Sequence, residues 1–326
     1  MKIAILDDLF NTVPTLACFA RLAGHDVKVW NDHVEDTDTL AARLDGVEAL
    51  VLIRERTRIT AELLERLPAL RLISQRSVYP HIDIEACTRR GIVVSSILTA
   101  PPSYATAELT FGLALAAARR IPQQMAALRA GTWQTGVGTT LRGKTFGVYG
   151  YGRIGQVVAG FAKAFGMKVQ VWGRQTAHAK AAEDGHIIPS GKEEFFAASD
   201  VISLHMRLVD ATRGIVKAQD LARMKPTAIL VNTSRAGLVE AGALEKALKA
   251  GRPGFAAVDV YEEEPVLGGN HPLLKLDNVV CTPHLGYVTR EEYETHFTAI
   301  IDQILAYASG KPINVVNPEV LRGPGG

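Results

Sequence analysis

At 326 residues, the chain is long enough for about two domains of ordinary size. Hydrophobic residues make up 47% and charged residues 21%, which excludes wholesale disorder, collagen-like repeats and coiled coil. Thirty-six basic against thirty-four acidic side chains leave a net charge of +2, too balanced for a surface built to hold nucleic acid. The longest apolar stretch, around Leu109–Ala118, is about half the length a bilayer requires, so no membrane association is expected. Asp7 and Asp8 interrupt the N-terminus where a signal peptide needs an apolar core. Cys18, Cys87 and Cys281 are odd in number and far apart. They read as reduced, mostly packed thiols of a cytoplasmic protein, with no metal-ligand spacing.

Short β-rich apolar runs alternate with helical patterns along the chain. The first series is Lys2–Leu6, Asp26–Trp30, Ala49–Ile53, Arg71–Ser74 and Ile92–Ser95, separated by the amphipathic stretches Thr37–Leu44, Ala61–Leu67 and Ile84–Arg90. This alternation predicts a parallel sheet covered by helices. A Pro-containing boundary, Thr99–Pro102, leads into a long helical segment from about Ser103 to Ala130 and then an exposed Gly/Thr-rich arm, Gly131–Thr140, carrying Trp133. The second series is Thr145–Tyr149, Lys168–Trp172, Val201–His205, Ala228–Asn232, Gly254–Val258 and Asn278–Thr282. Six strands in this order suit a doubly wound dinucleotide fold. A last helix, about Glu291–Ser309, returns to the first half. The expected fold class is therefore α/β, with two Rossmann-like domains. Residues 1–100 and 288–326 form a flavodoxin-like substrate domain, and 101–287 the doubly wound NAD(P) domain.

The most informative segment is "KTFGVYGYGRIGQVVAGFAKAFGMKVQVWGR". A strand ends at Tyr149, and Gly150-x-Gly152-x-x-Gly155 opens a helix with Ile154, Val157, Val158 and Phe161 on its apolar face. Gly150 makes the tight turn, Gly152 leaves room for a pyrophosphate, and Gly155 lets the helix press on the sheet. The helix N-terminus then faces the phosphates. At the end of the second strand, where an NAD-preferring site places Asp or Glu about 20 residues on, this chain has Gly173, Arg174 and Gln175. No carboxylate opposes a 2′-phosphate there, and Arg174 can pair with one. NADP(H) is favoured over NAD(H).

Downstream, "ILVNTSRAG", "VDVYEEEP" and "VVCTPHLG" each place polar residues just beyond an apolar strand, where open α/β sheets bind ligands. Arg235, Glu264 and His284 are thereby brought toward one cleft. Reducing a 2-keto acid takes a hydride and a proton. Arg235 can clamp the substrate carboxylate through a planar two-point contact. His284 is the natural proton donor in that direction and acceptor in the other, and Glu264 would stabilise its imidazolium form.

From Lys2 to about Leu321 the chain resembles the D-isomer-specific 2-hydroxyacid dehydrogenases. The motifs that carry the likeness are the glycine loop, "MKPTAILVNTSRAG", "AAVDVYEEEP" and "NVVCTPHLG", in this order. The resemblance implies catalytic Arg235, Glu264 and His284, with Glu264 rather than Glu262 or Glu263 because it precedes Pro265. It also implies cofactor contacts near Arg153, Ile154, His205, Thr233, Asp259 and Gly286, and a homodimer joined through the nucleotide-domain arm. "GRQ" at Gly173–Gln175 is similar to the NADPH-preferring members.

The match loosens in the first domain. Where many relatives have a Gly-rich loop whose amides hold the substrate carboxylate, this chain has "SQRSVYPHID". Ser77 and Val78 are the expected substrate contacts there, with Tyr79 and Pro80 reshaping the site. Arg54, in "LIRERT", is expected to attract an anionic substrate, with Arg56 beside it. Pro102 and Tyr287 are further departures. Two alternatives compete with a 2-keto acid reductase: a dehydrogenase of formate or phosphite type, and a non-catalytic dinucleotide-sensing regulator of the same fold.

Overall fold

The computed structural model describes residues 1–98 and 104–322. The chain forms two compact units, 1–100 with 289–326 and 101–288. Each is a parallel sheet covered by helices, so the fold is α/β with two Rossmann-like domains. The Thr99–Pro102 boundary, including Pro102, lies outside the described residues.

In the first unit, strands β1 (Lys2–Ile5), β2 (Asp26–Val29), β3 (Ala49–Val51), β4 (Leu72–Arg76) and β5 (Val93–Ile97) lie in the order β2-β1-β3-β4-β5. All neighbours are parallel, and the order reverses direction between β1 and β3. Helices α1 (Thr37–Arg43), α2 (Ala61–Glu65) and α3 (Ile84–Arg89) cover it. Each starts where the side chain of Asp36, Thr60 or Asp83 accepts a first-turn amide, the standard N-cap solution for an orphan donor. Leu40, Leu63, Leu64 and Cys87 of these helices pack on Leu50, Ile73 and Val94 of the sheet.

The C-terminal helix Arg290–Ala308 belongs to this unit and buries Ile300, Ile301 and Ile304. Its Gln303 pairs with the buried Ser74 Oγ at 2.7 Å. Its Glu294 accepts from the amides of Ala17 and Cys18. That carboxylate satisfies the start of a short 3₁₀ helix, Ala17–Leu22, for which the sequence pattern predicts no element. β4 and β5 each run two residues past the apolar runs that predict them. Polar Gln75, Arg76 and Ser96 are drawn into the ladder and buried, and Gln75 Nε2 donates to Ser96 Oγ at 3.0 Å across the β4–β5 register.

The second unit contains helices α4 (Tyr104–Arg119) and α5 (Ile121–Arg129), then β6 (Thr145–Tyr149), α6 (Arg153–Ala164), β7 (Lys168–Trp172), α7 (Gln175–Glu183), α8 (Lys192–Ala198) and β8 (Val201–Leu204). It continues through α9 (Ala218–Arg223), β9 (Ile229–Asn232), α10 (Ala243–Lys249), β10 (Phe255–Val258) and β11 (Val279–Cys281). The spatial order is β11-β10-β9-β8-β6-β7, all parallel. Ile187 adds a one-residue parallel bridge to Gln170 on the outer side of β7. It stands where the third strand of a 3-2-1-4-5-6 sheet would lie.

The single long helix expected from Ser103 to Ala130 is instead two. Arg120 sits in the left-handed region at φ = 54°, and Pro122 lies in the first turn of α5. A proline at that place has no N–H and its ring would strike the carbonyl of Ala118. The Ala118 carbonyl turns to the amide of Thr139 instead, at 2.7 Å.

Candidate active site

The glycine loop leaves β6 at the point where the second sheet reverses its winding, between β6 and β8. Gly150 has φ = 96°, and a Cβ there would lie 2.7 Å from the carbonyl oxygen of His205, the residue following β8. A Cβ on Gly155 would lie 2.2 Å from the Gly150 oxygen, so this glycine sets how closely α6 approaches the turn. Gly152 differs: a Cβ on it would meet no atom within 4 Å. It is the N-cap of α6, has no side-chain cap, and the first turn carries no acidic residue. The positive end of the helix therefore opens onto free space at Gly152, which fits a dinucleotide pyrophosphate. Val158, Ala159 and Ala162 bury the opposite face, with Ile154, Val157 and Phe161 half-buried at its margins. Arg153 itself is exposed at the first position of α6.

His205 closes the other side of this turn. Its amide donates to Tyr149 O at 2.8 Å, and its ring Nε2 lies 2.8 Å from Ser203 Oγ. The residue is half-buried, and burial pushes its ring pKa down to about 4, so it is neutral at working pH. At the end of β7, Arg174 is the exposed N-cap of α7, followed by exposed Gln175. The Gly173 amide donates to His178 Nε2 at 3.1 Å.

The three predicted catalytic residues all come from carboxyl ends of the second sheet. Arg235 follows β9 in extended conformation, with Nη1 donating to Ser234 O at 2.8 Å and its own carbonyl accepting from Asn232 Nδ2. Glu264 follows β10, where the Tyr261 amide donates to its Oε1 at 2.8 Å. His284 follows β11 at φ = 55°, and its Nδ1 lies 2.5 Å from Glu264 Oε2. Burial alone would raise the Glu264 pKa, but the His284 hydrogen bond and charge, the Tyr261 amide and the Arg235 charge hold it below the ordinary carboxylate value. An ionised Glu264 accepts only, so Nδ1 of His284 carries the proton of this hydrogen bond.

The loop bearing His284 is braced from below. Asp259 is fully buried. It accepts from Thr282 Oγ1 (2.6 Å) and the amides of Leu285 (2.7 Å) and Gly286 (2.9 Å). Burial raises its pKa despite those three hydrogen bonds and nearby His284. Gly286 O accepts from Thr106 Oγ1, and buried Thr233 shares a 2.6 Å contact with Thr110 of the same helix, α4. Tyr287 is buried and meets the His284 ring edge-on, centroids 5.8 Å apart.

In the first unit, Arg54 follows β3 at φ = 64°, and its Nε lies 3.9 Å from Glu55. Arg56 donates to the Asp7 carbonyl at 2.9 Å, so it ties the β3 end to the β1 end. Ser77 follows β4 at φ = 104°, and Val78 beside it is exposed. Among the described residues no group of three or more His, Cys, Asp or Glu side chains could hold a metal ion.

Comparison with known proteins fits this geometry. Residues 111–286 match the family model "D-isomer specific 2-hydroxyacid dehydrogenase, NAD binding domain". A glyoxylate reductase from Aeropyrum pernix is 41% identical over 91% of this chain and 91% of its own length. The chain belongs to the D-isomer-specific 2-hydroxyacid dehydrogenases. A D-3-phosphoglycerate dehydrogenase from Methanocaldococcus jannaschii is 40% identical over 86% of this chain, which spans 53% of that enzyme. The crystal structure of a phosphoglycerate oxidoreductase from Vibrio cholerae superposes with a TM-score of 0.90 at 51% identity, covering 95% of this chain and 99% of that one.

For a 2-hydroxyacid dehydrogenase, the sequence motifs lead to the strand ends but not to what holds them. Tyr261, whose hydroxyl donates to Thr282 O at 3.0 Å while its amide holds Glu264, is not singled out by any spacing rule. Asp7 is another omission: a buried residue at φ = 63° bonded to His33 and Thr57. Gln75 is the third, and its signal was legible: an amide side chain inside the run "LISQR", where a parallel strand should be apolar.

Proposed function

We propose that this protein is an NAD(P)-dependent D-2-hydroxyacid dehydrogenase that works as a 2-keto acid reductase. The observation that carries the reading is the Glu264–His284 pair, beside Arg235, at the carboxyl ends of the sheet that also bears the open glycine turn. Residues 101–287 serve as the dinucleotide-binding domain, and 1–100 with 288–326 supply the substrate contacts.

A bound nicotinamide dinucleotide supplies the hydride. Gly150, Gly152 and Gly155, with the first-turn amides at Arg153 and Ile154, receive its pyrophosphate. His205, Thr233, Asp259 and Gly286 would contact the dinucleotide, with Asp259 near the nicotinamide carboxamide. Arg174, aided by Gln175 and by an α7 first turn without acidic residues, pairs with a 2′-phosphate, which favours NADP(H). Arg235 orients the substrate carboxylate and polarises the adjoining carbonyl. His284, held by Glu264 through Nδ1, delivers a proton from Nε2 to the carbonyl oxygen, and in the oxidative direction accepts it there. Arg54 and the amides around Ser77 and Val78 hold the substrate from the first unit. Residues in the left-handed region collect at functional sites. Asp7, Arg54 and Ser77 put such a residue just past three of the first sheet's five strands.

The arm supports a homodimer: α5 has no buried residue, Trp133 is 75% exposed and Val137 94% exposed. Three free cysteines support a reducing, cytoplasmic setting. Burial pushes the Cys18 and Cys87 thiols up to about 11 and about 12.

The test is initial-rate loss of NADPH and NADH absorbance against glyoxylate, hydroxypyruvate, pyruvate and longer alkyl and aryl keto acids. NADPH oxidation with one of them is the expected result. Turnover with NADH alone removes the cofactor preference. Binding of reduced dinucleotide without turnover of any keto acid removes the reductase reading and favours a sensor or an unusual donor.

A further inference from the structure

The loop after β4 contains no glycine, yet it has a glycine's backbone. Ser77 stands at φ = 104°, a conformation costly for any residue with a Cβ. Such a residue persists only where its surroundings over-determine it. Here the determinant is Gln75. Its side chain is fully buried at the end of β4. Its Nε2 reaches Ser77 O at 3.1 Å, Val78 O at 3.3 Å and Ser96 Oγ at 3.0 Å. Ser96 Oγ in turn donates to Ser77 O at 2.7 Å.

A trans peptide group directs its N–H opposite to its C=O. Two successive carbonyls converge on one side-chain nitrogen, so the amides of Val78 and Tyr79 point together toward the other side. Neither amide has an acceptor among the described residues, and Val78 lies at the surface, 40% exposed. Adjacent amides aimed into open space form a concavity for an anion. Gln75 also leaves its own Oε1 buried with no partner among the described residues. A side chain selected for stability alone would not leave that acceptor unmet.

We infer that Gln75 is a positioning residue for carboxylate recognition: it draws Ser77 O and Val78 O inward and so presents the Val78 and Tyr79 amides to the substrate carboxylate. This rests on the 2-keto acid reading above. The amide side chain takes over the task that glycine's conformational freedom performs in a Gly-rich loop, and it does so by direct hydrogen bonds rather than by permissive sterics.

The experiment is steady-state kinetics of Gln75→Ala and Gln75→Glu on the keto acid the wild type prefers, with dinucleotide Kd measured separately by fluorescence. In Gln75→Ala the keto-acid KM should rise about tenfold or more, the cost of two misplaced hydrogen bonds to a charged group, while kcat and the dinucleotide Kd stay within about twofold. Gln75→Glu should match it at neutral pH, because a carboxylate repels both carbonyls. Its KM should fall relative to wild type as the pH is lowered and the buried carboxyl becomes an O–H donor. A merely structural role would produce no such pH signature. Should Gln75→Ala not fold, Ser96→Ala removes the second donor to Ser77 O with a smaller loss of volume, and KM should rise about threefold or more. Unchanged KM in the variants that fold, or kcat and Kd falling together with it, overturns the role of Gln75. Absence of any wild-type turnover removes the substrate reading and this inference together, whereas turnover with unaltered KM in the variants removes the inference alone.

Discussion

The two sheets solve the same problem by different means. At the carboxyl edge of the second, the chain leaves β6 through Gly150 at φ = 96°, and Gly152 and Gly155 keep the turn open and tight. At the carboxyl edge of the first, the chain leaves β1, β3 and β4 through Asp7, Arg54 and Ser77, all with positive φ and none of them glycine. There side chains do the holding. Thr57 Oγ1 donates to the Asp7 carboxylate at 2.6 Å, Arg56 to the Asp7 carbonyl, and Gln75 to the carbonyls after β4. The glycine solution leaves an uncapped helix end facing open space. The braced solution ties loop shape to side-chain identity, which suits an edge that discriminates between substrates.

The largest expected effect lies in the second sheet. His284→Ala should lower kcat by about 10²- to 10⁴-fold, the usual worth of a positioned acid or base, while dinucleotide affinity measured by fluorescence titration stays within about threefold. A residual rate near wild type would move the proton transfer to another group and take the Glu264–His284 pair out of the chemistry.

Next come two alanines three residues apart that should fail differently. Gly155→Ala forces a Cβ to 2.2 Å from a backbone oxygen, so α6 must shift; a loss of at least about 3 kcal/mol in stability is expected from overpacking that no side chain can relieve. Gly152→Ala meets nothing in the protein and should melt within about 2 °C of wild type, yet weaken dinucleotide binding about tenfold or more by filling the space over the helix end. Calorimetry with and without dinucleotide separates the two. Equal melting temperatures for both would mean that Gly155 is not the contact that fixes α6.

How much of this was legible in the sequence follows from the same contrast. The strand series, the sheet class and the residues Arg235, Glu264 and His284 at strand ends could be placed because glycine spacing and apolar runs are local signals. The break at Arg120 was readable in principle from Pro122, but the even apolar pattern from Leu109 to Leu128 hides it. The braces were not readable. Asp259 reaches residues 282, 285 and 286 across more than twenty positions of sequence, and no periodicity encodes such a contact. Gln75 was visible only as a polar residue in a strand that should be apolar. Its partner Ser96 on the neighbouring strand is known only from the β4–β5 register.

A pH effect of intermediate size tests the dinucleotide side of the comparison. His205 has its pKa lowered from 6.5 to about 4 by burial. The unfolded chain therefore binds a proton in that window that the folded chain does not. The sign is destabilising: stability falls as pH drops through about 6.5 and levels near 4, with a full contribution of roughly 3 kcal/mol. Glu264, held below its ordinary value, adds a loss in the same direction at pH below about 4.5. Half-buried His81, His186 and His296 are shifted downward too, so the His205 share is read as a difference. Urea denaturation of wild type and His205→Gln at pH 7.5 and 4.5 should show the variant losing about 2 kcal/mol less over that interval. Equal losses would mean that the ring is hydrated in the folded protein.

The smallest effect separates the two solutions most cleanly. Ser77→Gly removes a Cβ from a residue at φ = 104° and so relieves strain of about 1–3 kcal/mol. It also gives the unfolded chain glycine's freedom, which costs about 0.5–1 kcal/mol. The net should be a stabilisation of about 1 kcal/mol, seen as a rise of roughly 2–4 °C in Tm. The converse substitution, Gly150→Ala, places a Cβ at φ = 96° and 2.7 Å from the His205 oxygen, and should destabilise the fold. Glycine is thus acceptable to stability at both turns, while a Cβ is tolerated only after β4. If Ser77→Gly raises Tm and also raises the keto-acid KM, the serine is kept at a cost in stability because a stiffer loop binds better. If Tm falls instead, the Ser77 Cβ makes contacts worth more than its backbone strain, and the brace at Gln75 works on a turn that was never under tension.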